Sequence, residues 1–194
     1  MIFPDYQETG CVYHIISLTD LKKTLEEGIA YDDKVTYHTK YNGFHEWIDG
    51  LKPAWIPDWV NRRKAIFASM NYRKSHPFHS HTAILAVRIQ PERCWVANEN
   101  YVNQNYEPFL LQHIEEFRSC RNYLEKEGAQ LLKKYWETSL SFEENLKVRV
   151  DKQEGFDAEI LIFHPIQPKD IRVMYIISDH RMMTVEEWKK RFCQ

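Results

Sequence analysis

The sequence predicts a single α+β domain, and three observations support this prediction. Short runs rich in β-branched and aromatic residues, which are typical of strands, recur along the 194 residues. Between them lie segments with apolar residues at helical spacing, two of which begin with a capping sequence. No internal repeat, low-complexity run or linker divides the chain, and its length suits one domain with a substantial core.

The first predicted strand runs directly into a helix. Cys11 to Ile16 has the sequence CVYHII, and the SLTD segment that follows has the form of a capping box. Leucines at helical spacing continue the helix, and Gly28 is placed to end it in the left-handed conformation. His14 therefore lies on a strand next to a capped helix, where it is either a packed, hydrogen-bonded residue or a functional one.

Residues 30–60 lack this periodicity and are rich in tyrosine and tryptophan. We predict a long aromatic loop here, with room for a short helix near Phe44 to Leu51. Loops of this length in a compact domain are usually functional covers or disordered, and so many aromatic side chains argue against disorder. The tryptophans either pack the loop on the core or face a ligand.

The Asn61 to His81 segment is basic, whereas the chain as a whole is nearly balanced in charge. It has no carboxylate and carries Arg62, Arg63, Lys64, Arg73 and Lys74. We therefore expect a phosphate-bearing partner there. Within it, Ala65 to Ser69 predicts a short buried strand, and Tyr72 follows. Its three histidines (His76, His79, His81) do not have a standard zinc spacing, so a solvated loop is favoured over a metal site.

The later part of the chain predicts further strands and helices. The predicted elements are strands at Ala83 to Ile89, Cys94 to Ala97 and Ile171 to Ile177, a helical insertion at about 107–140 that Gly128 breaks in two, and a closing helix from Thr184 to about Phe192. Pro108 suits the first turn of the insertion.

A short apolar run near residue 160 carries one charged side chain, Glu159. Ala158, Ile160 and Ile162 would face one side of a strand, and Leu161 and Phe163 the other. Because both sets are apolar, the run predicts a strand buried on both faces. Desolvating a carboxylate costs several kcal/mol, so Glu159 needs either a partner or a task. It is either half solvated and paired with a nearby arginine or lysine, or it is functional.

Composition limits the general class of the protein. The chain has 26 Lys and Arg against 28 Asp and Glu, so any preference for nucleic acid must be local. Its four cysteines have no CxxC spacing, which disfavours a disulfide framework and a zinc knuckle. No signal-peptide pattern or membrane-length apolar run is present. We therefore expect a soluble cytoplasmic protein without membrane association.

Three segments, in this order, resemble motifs of the ADP-ribosyltransferase superfamily. VYHIISLTDLKKTLEEGI is similar to the opening strand and helix, AIFAS to the second motif, and FDAEILIFHPIQPKDI to the third. The resemblance implies an α+β fold with a split β-sheet flanked by helices, NAD as the substrate and Glu159 as the catalytic carboxylate. Such a carboxylate stabilises the positive charge that develops when the nicotinamide–ribose bond breaks.

The resemblance also implies how the NAD would be held. His14 would contact a ribose, Ser69 occupies the serine position of the second motif, and Tyr13 or Tyr72 would stack on nicotinamide.

An arginine between the first two motifs is a further feature of some relatives. Arg62 or Arg63 occupies that place and would neutralise the pyrophosphate. We assign Arg63 to the catalytic group with Glu159, and Arg62 to NAD binding.

Within the superfamily, the size and motifs are most similar to DarT-type enzymes, which modify bases of single-stranded DNA, with RNA 2′-phosphotransferases close. This implies a single-stranded DNA or other nucleic-acid acceptor, and an antitoxin as a partner. Asp157 stands where arginine-modifying relatives carry glutamate, which disfavours a protein-arginine target. Two other interpretations stay open: a non-catalytic nucleic-acid or protein binding module, and a metal-dependent phosphodiesterase built on the histidines.

Overall fold

The computed structural model describes residues 2–31, 35–73 and 76–193, without the side chains of residues 35–40. Lys74 of the predicted basic segment lies outside the described residues. The helices are α1 (Tyr6–Thr9), α2 (Leu21–Glu27), α3 (Val35–Gly50), α4 (Glu99–Leu111), α5 (Ser119–Tyr123), α6 (Ala129–Glu137), α7 (Phe142–Val148) and α8 (Val185–Phe192). The strands are β1 (Cys11–Ser17), β2 (Ile66–Ser69), β3 (Thr82–Arg88), β4 (Cys94–Asn98), β5 (Leu140–Ser141), β6 (Ala158–Ile162), β7 (Ile171–Ser178) and β8 (Arg181–Thr184).

The prediction of an α+β protein is confirmed. The predicted strands agree with β1, β2, β3, β4 and β7 to within one residue at each end. All residues of β6 are buried, Glu159 included, as the apolar residues on both of its faces predict. The closing helix α8 begins at a complete capping box, in which Thr184 and Glu187 satisfy each other's backbone amides.

The chain forms two compact units. The first unit comprises Met1–Tyr31, Ile66–Gln90 and His164–Gln194, and the second unit comprises Asp32–Ala65 and Pro91–Phe163. In the first unit, antiparallel strands follow the order β2-β1-β3-β7-β8. In the second unit, β4 lies between β5 and β6 and is antiparallel to both.

The core of the first unit forms where apolar strand residues meet the N-terminal segment. One cluster of buried residues contains Phe3, Cys11, Tyr13, Tyr72, Ile84, Ala86 and Ile177. Phe3 stacks on Tyr13 with their ring centroids 4.2 Å apart. Two hydrogen bonds from the Phe3 and Ile2 amides to the Asn71 side chain hold this segment in place. Aromatic stacking of this kind adds to the free energy gained from burial.

The core of the second unit is built largely on α6. Leu132, Tyr135 and Trp136 are all fully buried, because they lie on one face of this amphipathic helix. The Trp136 indole donates a hydrogen bond to the Ile48 carbonyl near the end of α3, at 2.8 Å. The fully buried indole of Trp136 therefore has its polar atom satisfied inside the core.

The prediction of a loop over residues 30–60 is wrong for residues 35–50, which form α3. The helix buries Phe44 and Ile48, four residues apart, while much of its surface is polar. Aromatic, β-branched and glycine residues are weak helix formers, so tertiary packing decides the conformation here.

The helical insertion was predicted at about 107–140 but begins eight residues earlier, at Glu99, behind an Asn98 cap. Pro108 therefore lies inside α4 rather than in its first turn. Gly128 does not break the helix: a π-helical turn at Leu124–Gly128 joins α5 to α6. A Cβ atom at Gly128 would collide with the Asn105 side chain, so glycine is needed for close packing of the helices.

Gly28 does end α2, but not in the left-handed conformation that was predicted. Its φ of 90° and ψ of −161° belong to a region that is open essentially to glycine alone. The neighbouring Ile29 forms a two-way backbone bridge with Ile166, and a side chain at Gly28 would meet the Ile166 carbonyl. The position therefore demands glycine for two reasons.

Candidate active site

Glu159 is buried in the second unit and forms an ion pair with Arg62. The exposed fractions of the two residues are 4% and 5%. Arg62 donates from Nη1 to one carboxylate oxygen and from Nη2 to the other, the second at 3.1 Å. The expected pairing with an arginine is therefore present, but Glu159 is buried rather than half solvated. A bidentate pair of this kind fixes the position of both side chains.

Backbone structure on two sides brings this pair together. Glu159 is the second residue of β6 and lies opposite Ala97 of β4. Arg62 begins a short 3₁₀ turn, and its amide donates to the Asp49 carboxylate at the end of α3, at 2.8 Å. The Arg63 amide donates to the other oxygen of Asp49, at 3.2 Å. Because one carboxylate accepts from both amides, α3 determines where the arginine turn begins.

Two more buried side chains complete the surroundings of the guanidinium group. Arg62 donates from Nη1 to the Tyr135 hydroxyl and from Nε to His45 Nδ1, the latter at 3.2 Å. Tyr135 is also hydrogen-bonded to Glu159. We call Arg62, Glu159, Tyr135 and His45 the Arg62 cluster. Its polar groups satisfy one another inside the core, as buried polar groups must.

Burial sets the protonation of the cluster's neutral members. Desolvation, followed by the positive charge of Arg62, lowers the pKa of His45 to about 3. His45 is therefore neutral at physiological pH and accepts a hydrogen bond from Arg62. Desolvation also raises the pKa of Tyr135 well above its usual value. The phenol therefore keeps its proton.

A second carboxyl group, Glu99, lies beside the cluster. It follows β4 directly, and its amide donates to the Asp157 carbonyl at 2.8 Å. Desolvation, followed by repulsion from Glu159, raises the pKa of Glu99 to about 7. Glu99 therefore exchanges its proton near neutral pH, next to a carboxylate that is paired with arginine. A carboxyl group with a pKa near neutrality is suited to acid–base chemistry.

A cleft of about 390 Å³ opens at the same end of the β4–β6 pair. Residues that line it include Asn98, Tyr101, Thr138, Gln153, Glu154 and Phe156. The side-chain amides of Asn98 and Asn100 both donate to the Gly155 carbonyl, at 3.1 and 3.0 Å. These bonds hold the segment before β6 against the start of α4. Neither Glu99 nor Glu159 is among the lining residues, but Asn98 directly precedes Glu99 and Phe156 lies three residues before Glu159. The volume of the cleft is typical for small-molecule sites.

Arg63, the second arginine of the predicted site, is less buried than Arg62. Its side chain is 37% exposed and pairs with Glu46 at 3.3 Å and with Asp49 at 3.6 Å. The two neighbouring arginines thus have different environments, because Arg62 faces the core and Arg63 faces the surface.

The other predicted site residues lie in the first unit. His14 is buried, and its Nδ1 is 2.5 Å from the Phe67 carbonyl of β2. Tyr13 lies opposite Ser69 across the β1–β2 pair, and its hydroxyl donates to the Pro4 carbonyl at 3.1 Å.

Tyr72 belongs to the same apolar cluster as Tyr13. Its hydroxyl donates to the Tyr13 carbonyl at 3.4 Å, and its ring contacts Phe78 edge-on. Both tyrosine rings are thus packed within the core of the first unit. Their contact with NAD stays a prediction.

Sequence reasoning missed Glu99, Tyr135 and His45. The signal for Glu99 was its position, since a glutamate just after the strand Cys94 to Ala97 lies at a strand end. Tyr135 has the spacing of an ordinary core residue on an amphipathic helix, and His45 fell in a predicted loop. Nothing in the sequence alone pairs these residues with Arg62.

The described residues contain no group of three or more His, Cys, Asp or Glu side chains placed to hold a metal ion. In the same part of the chain, no helix combines the length and the apolar character that crossing a membrane requires. Comparison of the sequence with protein-family models, and of the protein with curated proteins and solved structures, finds no match.

Proposed function

We propose that this protein is an NAD-dependent ADP-ribosyltransferase that modifies single-stranded DNA or another nucleic acid. The observation that carries the proposal is the placement of Glu159, held by Arg62 and Tyr135, beside a proton-exchanging Glu99, with a cleft lined by residues that lead along the chain to both. The order of the three sequence motifs supports the same conclusion.

Glu159 would stabilise the positive charge that develops at the ribose when the bond to nicotinamide breaks. A carboxylate in a desolvated site does this more strongly than one in water. Arg62 and Tyr135 fix the direction of the carboxylate through their hydrogen bonds, so we assign them positioning roles. The described donors of Arg62 are directed at protein acceptors. This supports a positioning role for Arg62 over direct contact with a pyrophosphate.

Glu99 would accept the proton that the acceptor group loses when it attacks the ribose carbon. With a pKa of about 7, its ionised form is well populated at neutral pH and still has a useful affinity for a proton. The nicotinamide nitrogen keeps the electron pair of the broken bond, and the acceptor supplies the pair for the new bond. The reaction therefore needs no additional oxidant or reductant.

The cleft has groups that suit a sugar-containing substrate. The amide of Gln153 and the hydroxyls of Tyr101 and Thr138 line it and match ribose hydroxyls as donors or acceptors. Arg63, which retains exposed surface, is the arginine that we expect to meet a phosphate group.

Transfer of label from NAD tests the proposal. The purified protein is incubated with NAD labelled on the adenosine side, together with single-stranded DNA, RNA or protein acceptors. We expect labelled nucleic acid with the wild type and a loss of about 100-fold or more in Glu159→Gln. Glu137→Gln, which changes an exposed glutamate on α6, is the matched control and should transfer normally. Absence of label on every acceptor would overturn the proposal.

A non-catalytic binding module is the second candidate, and a specific observation favours it. Arg62 and Glu159 are both almost fully buried, and buried bidentate pairs commonly act as structural elements. In that case Glu159→Gln would lower stability while leaving the affinity for a nucleic-acid partner unchanged. The wild type and Glu159→Gln would then both bind a single-stranded oligonucleotide, and neither would consume NAD. That result would support the binding module.

A further inference from the structure

A second cavity, of about 390 Å³, lies in the first unit and is lined by three cationic side chains. These are Arg88, Lys169 and Arg172, and Asp170 is the one carboxylate among the lining residues. Thr9 and Cys11 contribute to the wall. The local charge is therefore positive, although the whole chain carries a net charge of −2.

Strand register places the two arginines on one face of the sheet. Ala86 of β3 lies opposite Arg172 of β7, and Cys11 of β1 lies opposite Arg88 of β3. Because Ala86 and Arg88 are two residues apart on the same strand, they share a face, and Arg172 is the diagonal neighbour of Arg88. Diagonal neighbours lie about 7–8 Å apart at their Cα atoms. Both guanidinium groups therefore reach the same cavity.

Among the described residues, Arg88, Arg172 and Lys169 form no ion pair with a carboxylate. Like charges on neighbouring strands repel each other, and an anion between them removes that repulsion. Arginine also binds phosphate oxygens in pairs, which gives such a site geometric specificity.

We propose that this cavity, which we call the Arg88–Arg172 cavity, binds the diphosphate group of a small molecule. A diphosphate provides two centres of negative charge to match two guanidinium groups. The cavity volume is within the usual range for a small-molecule site. A nucleic-acid backbone is a poorer match, because tracking a strand needs an extended basic stripe, and Asp170 interrupts the positive lining.

The proposal is independent of the proposed transferase, since none of its residues belongs to the Arg62 cluster or to Glu99. Isothermal titration calorimetry at low ionic strength is carried out with pyrophosphate, orthophosphate, ADP and a ten-residue oligothymidine. We expect pyrophosphate and ADP to bind more tightly than orthophosphate and the oligonucleotide. Binding should weaken as salt is added, because exposed charges are screened.

Arg88→Gln and Arg172→Gln should each weaken pyrophosphate binding about 10-fold or more, since each removes a charge-assisted contact. Arg181→Gln, which changes an exposed arginine on β8 outside the cavity, is the matched control and should bind like the wild type. Glu159→Gln should also bind pyrophosphate normally, which separates this inference from the transferase.

Three results would overturn the inference. They are no binding of pyrophosphate at millimolar concentration, equal binding by the wild type and both cavity variants, and a preference for the oligonucleotide that survives in those variants. Circular dichroism confirms that each variant is folded before titration.

Discussion

His14 and Glu159 are both titratable residues placed in apolar strands, but the two units surround them differently. In the first unit, His14 has the backbone carbonyl of Phe67 at its ring nitrogen. In the second unit, Glu159 lies in a shell of side chains from Arg62 and Tyr135. A buried histidine can be satisfied by a single backbone carbonyl, whereas burying a carboxylate is costly unless a charged partner accompanies it. The comparison shows why the second unit carries the stronger functional candidate.

The largest effect should come from breaking the ion pair. Arg62→Met leaves Glu159 buried without its partner, and we expect a loss of about 3–5 kcal/mol in the free energy of unfolding. Arg63→Met is the matched control, because its ion pairs are partly exposed and should be worth about 1 kcal/mol or less. Urea unfolding measures both. Equal losses in the two variants would remove the distinction between the neighbouring arginines.

The next effect concerns the stability of the second unit in acid. The pKa of His45 is about 3 in the folded protein and about 6.5 in the unfolded chain. As the pH falls from 6.5 towards 3, the unfolded chain takes up a proton that the folded protein does not. The free energy of unfolding therefore decreases, by up to about 4 kcal/mol from this residue.

His45→Gln retains a hydrogen-bond acceptor but does not titrate. Its free energy of unfolding should therefore fall less steeply than that of the wild type between pH 6.5 and 4. Urea unfolding over this range gives both curves. Parallel curves would show that His45 is not held in its neutral form.

Titration of Glu99 should change the free energy of unfolding in the opposite direction to that of His45. Its folded pKa of about 7 lies above the ordinary value, so its contribution to stability is lost as the pH rises from about 4.5 to 7. Glu99→Gln should be similar to the wild type at pH 4.5 and more stable by about 1–3 kcal/mol at pH 8. Thermal unfolding at the two pH values tests this, with Glu137→Gln as the control. A difference that does not change with pH would contradict the raised pKa.

The smallest effect is expected for His14 in the first unit. His14→Phe removes the hydrogen bond to the Phe67 carbonyl but keeps a ring of similar size, so we expect a loss of about 1–2 kcal/mol. A loss as large as that of Arg62→Met would show that the two strands are equally dependent on their polar residues. Urea unfolding under identical conditions makes the comparison direct.

Much of the fold could be predicted because strands depend on local sequence. The β-branched runs of β1, β3 and β7 predict buried strands without knowledge of their neighbours. Helix α3 could not be predicted in the same way. Its glycines and aromatic residues are weak helix formers, and the packing of Phe44 and Ile48 overrides that preference.

The candidate site was predictable only in part, for a physical reason. Glu159 could be recognised because a charged residue in an apolar strand demands an explanation. Its partners come from far along the chain, with Arg62 separated from it by 97 residues. The raised pKa of Glu99 arises from burial and from the neighbouring Glu159, which no local pattern reports.

Release of nicotinamide from NAD by the wild type and by Glu159→Gln is the most direct test of the central claim that Glu159 is catalytic. Both proteins are first matched for folding by circular dichroism, and each is then assayed with single-stranded DNA present. We predict release by the wild type and a rate lower by about 100-fold or more in the variant. Equal rates in the two proteins, or no release by a folded wild type with any acceptor, would contradict the claim and leave Glu159 as a structural ion pair.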